Sequence, residues 1–397
     1  MADVQQVYDV IVIGGGPIGQ ASAYHLAKQQ AKTLVLEQYT FKNQLGSSAG
    51  VSRQFRIPYP DQYMVQMALD SQPYWDELQA LSSVPLRDTV GTLWFGDPEV
   101  QSTEGNIKEA MDSMDALGVP YTALTCEQIE ADYRFSNLPE HYTGLFQADG
   151  ASINLPATIQ TLLDYNQASE WVSLLEESPV TDIQRIDGVF TVSTPSASFQ
   201  ARKLIIVPGP YVNNVTRLLH FQVDATYWNM SSAYFKKTDP TIQYPTWFAF
   251  QPPAGASGNQ FYGFPEVSWD HPGYIRVAPD FVMTPLSDPN QATQEPNEQE
   301  LAYTAEWVRN NMQGLDPTPC FTSTCLVALS TIANKEMVID FAPTYVPGGK
   351  DIAIYATGWA AKFIPLLGEI LSQMALDGST TYDISHFQMG HKFFKAI

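Results

Sequence analysis

Positive charge is scarce in this chain. Its 397 residues carry 21 lysines and arginines against 42 aspartates and glutamates, a formal net charge of −21. A surface of that sign repels a phosphate backbone, which argues against a nucleic-acid partner. It repels an anionic membrane face as well. Solubility or a salty habitat is the plain reading of the acidity. Cysteine is scarce too. Cys126, Cys320 and Cys325 do not make a disulfide framework. Cys320 and Cys325 are close, but no histidine cluster accompanies them, so no metal site is expected. No apolar run reaches the roughly 20 residues of a membrane span. The opening MADVQQVYDVIVIGGG has no basic segment ahead of a long apolar one, so a secretory signal is not expected. The cytoplasm is the default compartment.

What is present is apolar and ordered in pattern. Hydrophobic residues make up 44% and charged residues 16%, as in globular proteins. The length predicts two domains. The stretch YDVIVIGGGPIGQASAYHLAKQ reads as an apolar strand, a glycine turn and an amphipathic helix. Gly14, Gly16 and Gly19 form the G-x-G-x-x-G pattern directly after Val10–Ile13. A second strand, Thr33–Leu36, ends in Glu37. Gly14 permits the tight turn, Gly16 lets backbone approach a pyrophosphate, and Gly19 lets the helix pack on the strand. The helix N-terminus attracts phosphate charge and Glu37 can bind ribose hydroxyls. An acid there favours FAD or NAD over NADP, and the motif alone does not choose between the two.

Farther along, QYTFKNQLGSSAGVSRQFRIPYP is too long and polar for a short connection and reads as a cofactor-binding loop. A strand pair is expected around LRDTVGTLWFGD. Strands also recur through residues 178–209, ending in the apolar run Lys203–Gly209 with its glycine turn. The segment from about 219 to 325 reads as β-rich. The last 70 or so residues return to strand, glycine and helix. The nucleotide domain therefore lies in pieces, at the start, middle and end of the chain. The expected division is 1–88, 148–218 and 326–397 for the cofactor, and 89–147 and 219–325 for the substrate.

Several stretches together resemble the monomeric sarcosine oxidase family of flavoproteins: DVIVIGGGPIGQASAYHLA, SRQFRIPY, FYGFPE, TSTCLVALST, MVIDFAP and YATGWAAKFIPLLGEILSQMALDGSTTYDIS. They are spread over nearly the whole chain. Within that family, GTLWFGD, TWFAFQ and the tryptophan of ATGWAAKFIPLLG are most similar to the branch holding the imino acid oxidase of nikkomycin biosynthesis. The resemblance implies an α/β (α+β) fold, with a Rossmann-like FAD domain and a substrate domain on a mixed β-sheet. It implies FAD oxidation of a C–N bond in an amino or imino acid, with O2 reduced to H2O2 by a monomer. Secondary or cyclic substrates such as pipecolate are the expected class. N-methyl or primary L-amino acids, or a flavin dehydrogenase using another acceptor, are the alternatives.

Site residues follow from motif and resemblance together. The cofactor set is Gly14, Gly16, Pro17, Ile18, Gly19, Glu37, Gln38, Ser47, Ser48, Arg53, Val180, Gly209, Cys325, Gly358, Trp359 and Lys362. Cys325 falls at the covalent attachment to the FAD 8-methyl carbon, with Cys320 as the alternative. A thiolate is needed for that bond, and nearby positive charge favours it. Arg53 would lie near the flavin ring. Arg56, with its planar fork of donors, and Lys362 would clamp the substrate carboxylate. Pro365 places Lys362 just before a helix rather than inside it. Trp359 would stack on, or swing over, the isoalloxazine, or else fill core. Tyr262 would line the pocket. Arg276 stands where sarcosine oxidases keep an oxygen-activating lysine, and Arg53 shares that candidacy. Asp280 stands where those enzymes use a histidine. Asp280 and Glu104 would recognise a ring nitrogen, or else be surface carboxylates.

Overall fold

The structure, a computed structural model of the chain, describes residues 6–102, 104–254, 258–330, 337–388 and 394–396. Thr331, which ends the TSTCLVALST stretch, lies outside them. The chain opens with β1 (Val7–Ile13), α1 (Pro17–Lys28) and β2 (Thr33–Leu36). The parallel register sets Val10 beside Thr33 and Ile13 beside Leu36. Both faces of this sheet are covered, which is why its strands are continuous apolar runs rather than alternating ones. Val10, Val12 and Val35 pack in one cluster with Leu26 and Leu367. Ile11, Ile13, Leu34 and Leu36 pack in another with Val212 and Leu219.

The elements that reach the site come later. They are β3 (Ser52–Phe55), β4 (Thr92–Gly96), β5 (Ser198–Ile206), β6 (Thr226–Lys237), β7 (Phe261–Phe264), β8 (Tyr274–Pro279), β9 (Leu315–Leu329), β10 (Ile352–Ala356) and α2 (Ile364–Asp377). The first sheet has a parallel centre in the order Val172–Leu175, β2, β1, β5, β10. Asp182–Ile186, Val189–Ser193 and Val338–Phe341 extend it in antiparallel fashion. The second sheet runs β9, β6, β8, β7, Thr246–Phe250, β4, Thr143–Gln147, Thr122–Thr125. Its neighbours are antiparallel except Thr246–Phe250 with β4, so it is mixed. β9 runs on in this sheet as far as Leu329.

The expected strand pair at LRDTVGTLWFGD is a correction. Arg87–Thr89 and β4 are both strands, but they do not pair with each other. Gly91, with φ of +78°, turns the chain between them. Arg87–Thr89 joins Ala151–Asn154 and β3 in a small third sheet, while β4 enters the second sheet. Both Val90 and Gly91 donate their N–H to the Gly150 carbonyl, at 3.1 and 2.8 Å, which fixes that divergence.

α1 and α2 lie against each other on one face of the first sheet. A Cβ on Gly368 would press on the Ala21 backbone, so glycine sets that close approach. His25 of α1 completes the contact: Nδ1 meets the Glu369 carboxylate at 2.8 Å and Nε2 meets the Pro365 carbonyl at 3.0 Å. Neither helix has a side-chain cap at its N-terminus. Their first N–H groups are therefore left for other acceptors. The carboxyl ends of β1, β2, β5 and β10 give onto the same space, where open α/β sheets bind ligands.

Candidate active site

One large cavity lies between the two sheets. Its non-atom space, including the part open to solvent, is about 2070 Å³. Its walls run from the glycine turn after β1 to Tyr262 on β7 and Arg276 on β8, a length that suits an extended cofactor with a substrate beside it. All the residues expected at the site line it except Gly19. Gly19 stands behind the wall, where a Cβ would strike the Gly14 carbonyl.

The glycine turn divides its tasks. Gly14 has φ of +113°, and a Cβ there would collide with the backbone of Val207 and Pro208. Gly16 differs: a Cβ would meet nothing within 4 Å and would project into open space. The wall is cut back at the one position where a pyrophosphate needs backbone approach. Glu37 is buried and faces the turn. Its carboxylate accepts from the N–H of Gly15 at 2.8 Å and of Tyr39 at 2.9 Å. Burial pushes its carboxyl up, against backbone N–H groups that pull it down. These residues fit the adenosine and pyrophosphate part of a dinucleotide.

Arg53 and Cys325 meet at the middle of the cavity. Arg53 Nη2 lies 3.1 Å from Cys325 Sγ and donates to the carbonyls of Ser47 and Ala49 at 2.8 and 2.5 Å. Cys325 Sγ donates to the Ser47 carbonyl at 3.3 Å. Ser47 Oγ reaches the Leu326 carbonyl at 2.7 Å, so the loop after β2 is tied to β9. Cys320 is exposed and does not line the cavity.

Beyond this point the charges are buried. Arg56 follows β3 and forms an ion pair with Glu104, both side chains buried. The rings of Tyr59 and Trp94 lie 5.0 and 5.1 Å from its guanidinium. Burial works against the Arg56 charge, but the Glu104 carboxylate and Tyr59 outweigh it, and its pKa is raised. Glu104 and Asp280, each 7% exposed, are thus not surface carboxylates. Lys362 is 5% exposed, in a single 3-10 turn (Ala361–Phe363) before α2, as Pro365 predicted. Its Nζ donates to the Trp359 carbonyl at 3.0 Å. Burial and the Arg56 charge hold its pKa well below the ordinary lysine value, with Glu104 and Asp280 pulling the other way.

Arg276, on β8, is buried over the Phe264 ring at 3.7 Å and donates to the Ser52 carbonyl at 2.9 Å. Tyr262, on β7, stacks on Phe248, and burial pushes its phenol up to about 12. Trp359 packs against the cluster of Met230, Val327 and Leu329 on β6 and β9. Sequence reasoning missed the supports. Ser71 and Trp75 both donate to the Lys362 carbonyl, at 3.0 and 2.7 Å. It also missed Tyr355 and Thr357, which line the cavity beside Gly358. The usable signal was a tyrosine inside the apolar run IAIYA, since a buried phenol needs a partner.

One continuous space thus runs from a dinucleotide turn on the first sheet to the buried charges that follow β3, β4, β8 and β10, the layout of a nucleotide-cofactor oxidoreductase. The family profile described as FAD dependent oxidoreductase matches residues 9–374, and the chain belongs to that family. A solved structure of NikD, described as an unusual amino acid oxidase essential for nikkomycin biosynthesis, is 34% identical. The match covers 96% of this chain and 97% of that one at a TM-score of 0.89. Peroxisomal sarcosine oxidase of Homo sapiens is 26% identical over 98% of this chain and 97% of its own. A Dictyostelium discoideum protein whose name calls it a bifunctional amine oxidase is 34% identical over 96% of this chain, which spans 37% of that longer protein. The chain is an FAD-dependent oxidoreductase of the sarcosine oxidase and NikD type. Among the described residues no helix is long and apolar enough to cross a membrane, and no acidic, histidine or cysteine group is arranged to hold a metal.

Proposed function

We propose that this chain oxidises a C–N bond of a small secondary or cyclic amino or imino acid, pipecolate-like, with O2 as acceptor and H2O2 as product. The observation that carries the reading is the buried set Arg56, Glu104, Lys362 and Asp280, which shares one cavity with the glycine turn. Buried cations in a dry site bind a carboxylate strongly. Among the described residues Lys362 has no carboxylate within ion-pair distance, while Arg56 already holds Glu104 and keeps a buried Nε without a hydrogen-bond partner. Lys362 and the remaining donors of Arg56 take the substrate carboxylate and fix its orientation. Asp280 and Glu104 then face its nitrogen, and Tyr262 closes the apolar side.

FAD supplies the two-electron acceptor when bound. Gly14, Gly16, Pro17, Ile18 and Glu37 hold its nucleotide half, with Gln38, Ser48, Val180 and Gly209 around it. Arg53, Ser47, Gly358 and Trp359 line the path toward its ring. Cys325 would hold the ring through a bond from Sγ to its 8-methyl carbon, which replaces the thiol hydrogen and one methyl hydrogen, the two electrons passing to the flavin and from it to O2; Arg53 Nη2 stands beside that sulfur. Arg53 and Arg276 provide positive charge for oxygen reduction. In this reading residues 1–88, 148–218 and 326–397 serve the cofactor and 89–147 and 219–325 the substrate, with β9 passing from one to the other.

A peroxide assay across pipecolate, proline, sarcosine and primary L-amino acids tests the substrate class. Preference for sarcosine or a primary amino acid over pipecolate would overturn the cyclic assignment. Flavin reduction by pipecolate without peroxide would overturn the oxidase.

A further inference from the structure

β10 ends in an unusual turn. Thr357 has φ of +59° and Gly358 follows with φ of +79°. Threonine is β-branched, and such residues are genuine outliers in the left-handed region. Every other described non-glycine residue with positive φ, such as Gln30, Asn137 or His220, is exposed and unbranched. Thr357 is 3% exposed and lines the cofactor cavity. Strain of this kind persists only where the surroundings over-determine the backbone, and it gathers at functional sites.

Two hydrogen bonds between described residues tie the turn to the two sheets. Tyr355 Oη donates to the Thr357 carbonyl at 2.7 Å, and the Gly358 N–H donates to the Ala328 carbonyl at 3.0 Å. The first bond comes from within the first sheet. The second reaches across to β9 of the second sheet. Burial raises the Tyr355 phenol far above its ordinary range, so it stays a neutral donor. Directly after the turn come Trp359 and, through the bond from its Nζ to the Trp359 carbonyl, Lys362.

We propose that Tyr355 is a positioning residue: through the Thr357 carbonyl it holds the left-handed turn that presents Trp359 and Lys362 to the cavity. The inference rests on the reading of Lys362 as an anion-binding cation. The phenol touches neither the cation nor the tryptophan. It fixes the direction of the chain at Thr357, two residues ahead of Trp359 and five ahead of Lys362.

Two substitutions test this together. Tyr355→Phe removes only the hydroxyl. Thr357→Gly removes the strain, since glycine accepts positive φ without cost. Benzoate serves as the probe, its Kd read from the perturbed visible absorption of the FAD-loaded protein. Tyr355→Phe should weaken benzoate about tenfold and shift the flavin's long-wavelength band. In the Thr357→Gly background the same change should alter the Kd by less than about twofold and leave the band in place. Equal weakening in both backgrounds, or an unchanged Kd and band in Tyr355→Phe, would overturn the proposal. Should benzoate not bind the unmodified protein, the anion reading of Lys362 falls, and the band shift with its rescue by Thr357→Gly decides the role of Tyr355 alone.

Discussion

Lys362 Nζ lies 3.0 Å from the carbonyl oxygen of Trp359, on its own chain, and not on a carboxylate. A buried ammonium held by one neutral acceptor is poorly compensated, and its charge is easily lost. Burial and Arg56 together hold its pKa well below the ordinary lysine value. An arriving carboxylate reverses this balance.

The first prediction is therefore a pH dependence. A bound carboxylate raises the lowered Lys362 pKa, so binding takes up a proton wherever the free lysine is neutral. Benzoate affinity should be flat below the pKa of free Lys362 and should fall above it, by about tenfold per pH unit. Lys362→Met should abolish the slope. Titrations of FAD-loaded protein across pH check this, and a slope surviving in Lys362→Met would assign it to another group.

The second concerns the Arg56–Glu104 pair. Removing one partner of a buried ion pair leaves an uncompensated charge and costs about 3–5 kcal/mol, while removing both costs far less. Arg56→Met should lower the thermal midpoint sharply, and Arg56→Met with Glu104→Gln should recover most of the loss. Glu104→Gln alone should tighten benzoate by freeing the Arg56 fork. Identical midpoints for the single Arg56 variant and the double variant would refute the coupling.

The third separates the glycines of the turn. Gly14→Ala meets the backbone of Val207 and carries an alanine at φ of +113°, so it should yield unstable protein. Gly16→Ala meets nothing. Its stability should stay within about 0.5 kcal/mol of the parent, as for an exposed substitution. Its FAD content should nonetheless fall, because the new methyl points into the space a pyrophosphate needs. Flavin absorbance against unfolding midpoint, measured on both variants, distinguishes the two.

The fourth addresses attachment. Acid precipitation should leave the pellet yellow, and Cys325→Ala should release free FAD into the supernatant while Cys320→Ala should not. Arg53→Met should slow attachment, since Arg53 Nη2 stands 3.1 Å from the sulfur and holds it in place. A colourless pellet from the parent protein would end the covalent reading.

The cofactor side of the cavity was legible because its chemistry is local. Strand, glycines, helix and acid follow one another within Val10–Glu37, and each glycine has a separate geometric reason. The substrate side was legible mainly through resemblance, since Arg56 and Glu104 are 48 positions apart and nothing in either neighbourhood names the other. Composition suggested surface carboxylates because most glutamates are exposed. The divergence of Arg87–Thr89 from β4 was hidden for a related reason: Gly91 marks a turn, but whether a turn closes a hairpin or parts two strands depends on partners far along the chain. Tyr355 was hidden inside an apolar run, where its phenol reads as strand filling.

β9 supplies Cys325, the turn after β10 supplies the Gly358–Lys362 segment, the loop after β2 supplies Ser47, and β3 supplies Arg53. A ribosome delivers these pieces in order, at about 5–20 residues per second. The glycine turn emerges early, but nothing closes over it until the chain through Ile364 is available. A nascent chain that stops short of that stretch has its nucleotide motif but lacks Cys325 and the Gly358–Lys362 wall of the cavity, so it offers the cofactor an incomplete site.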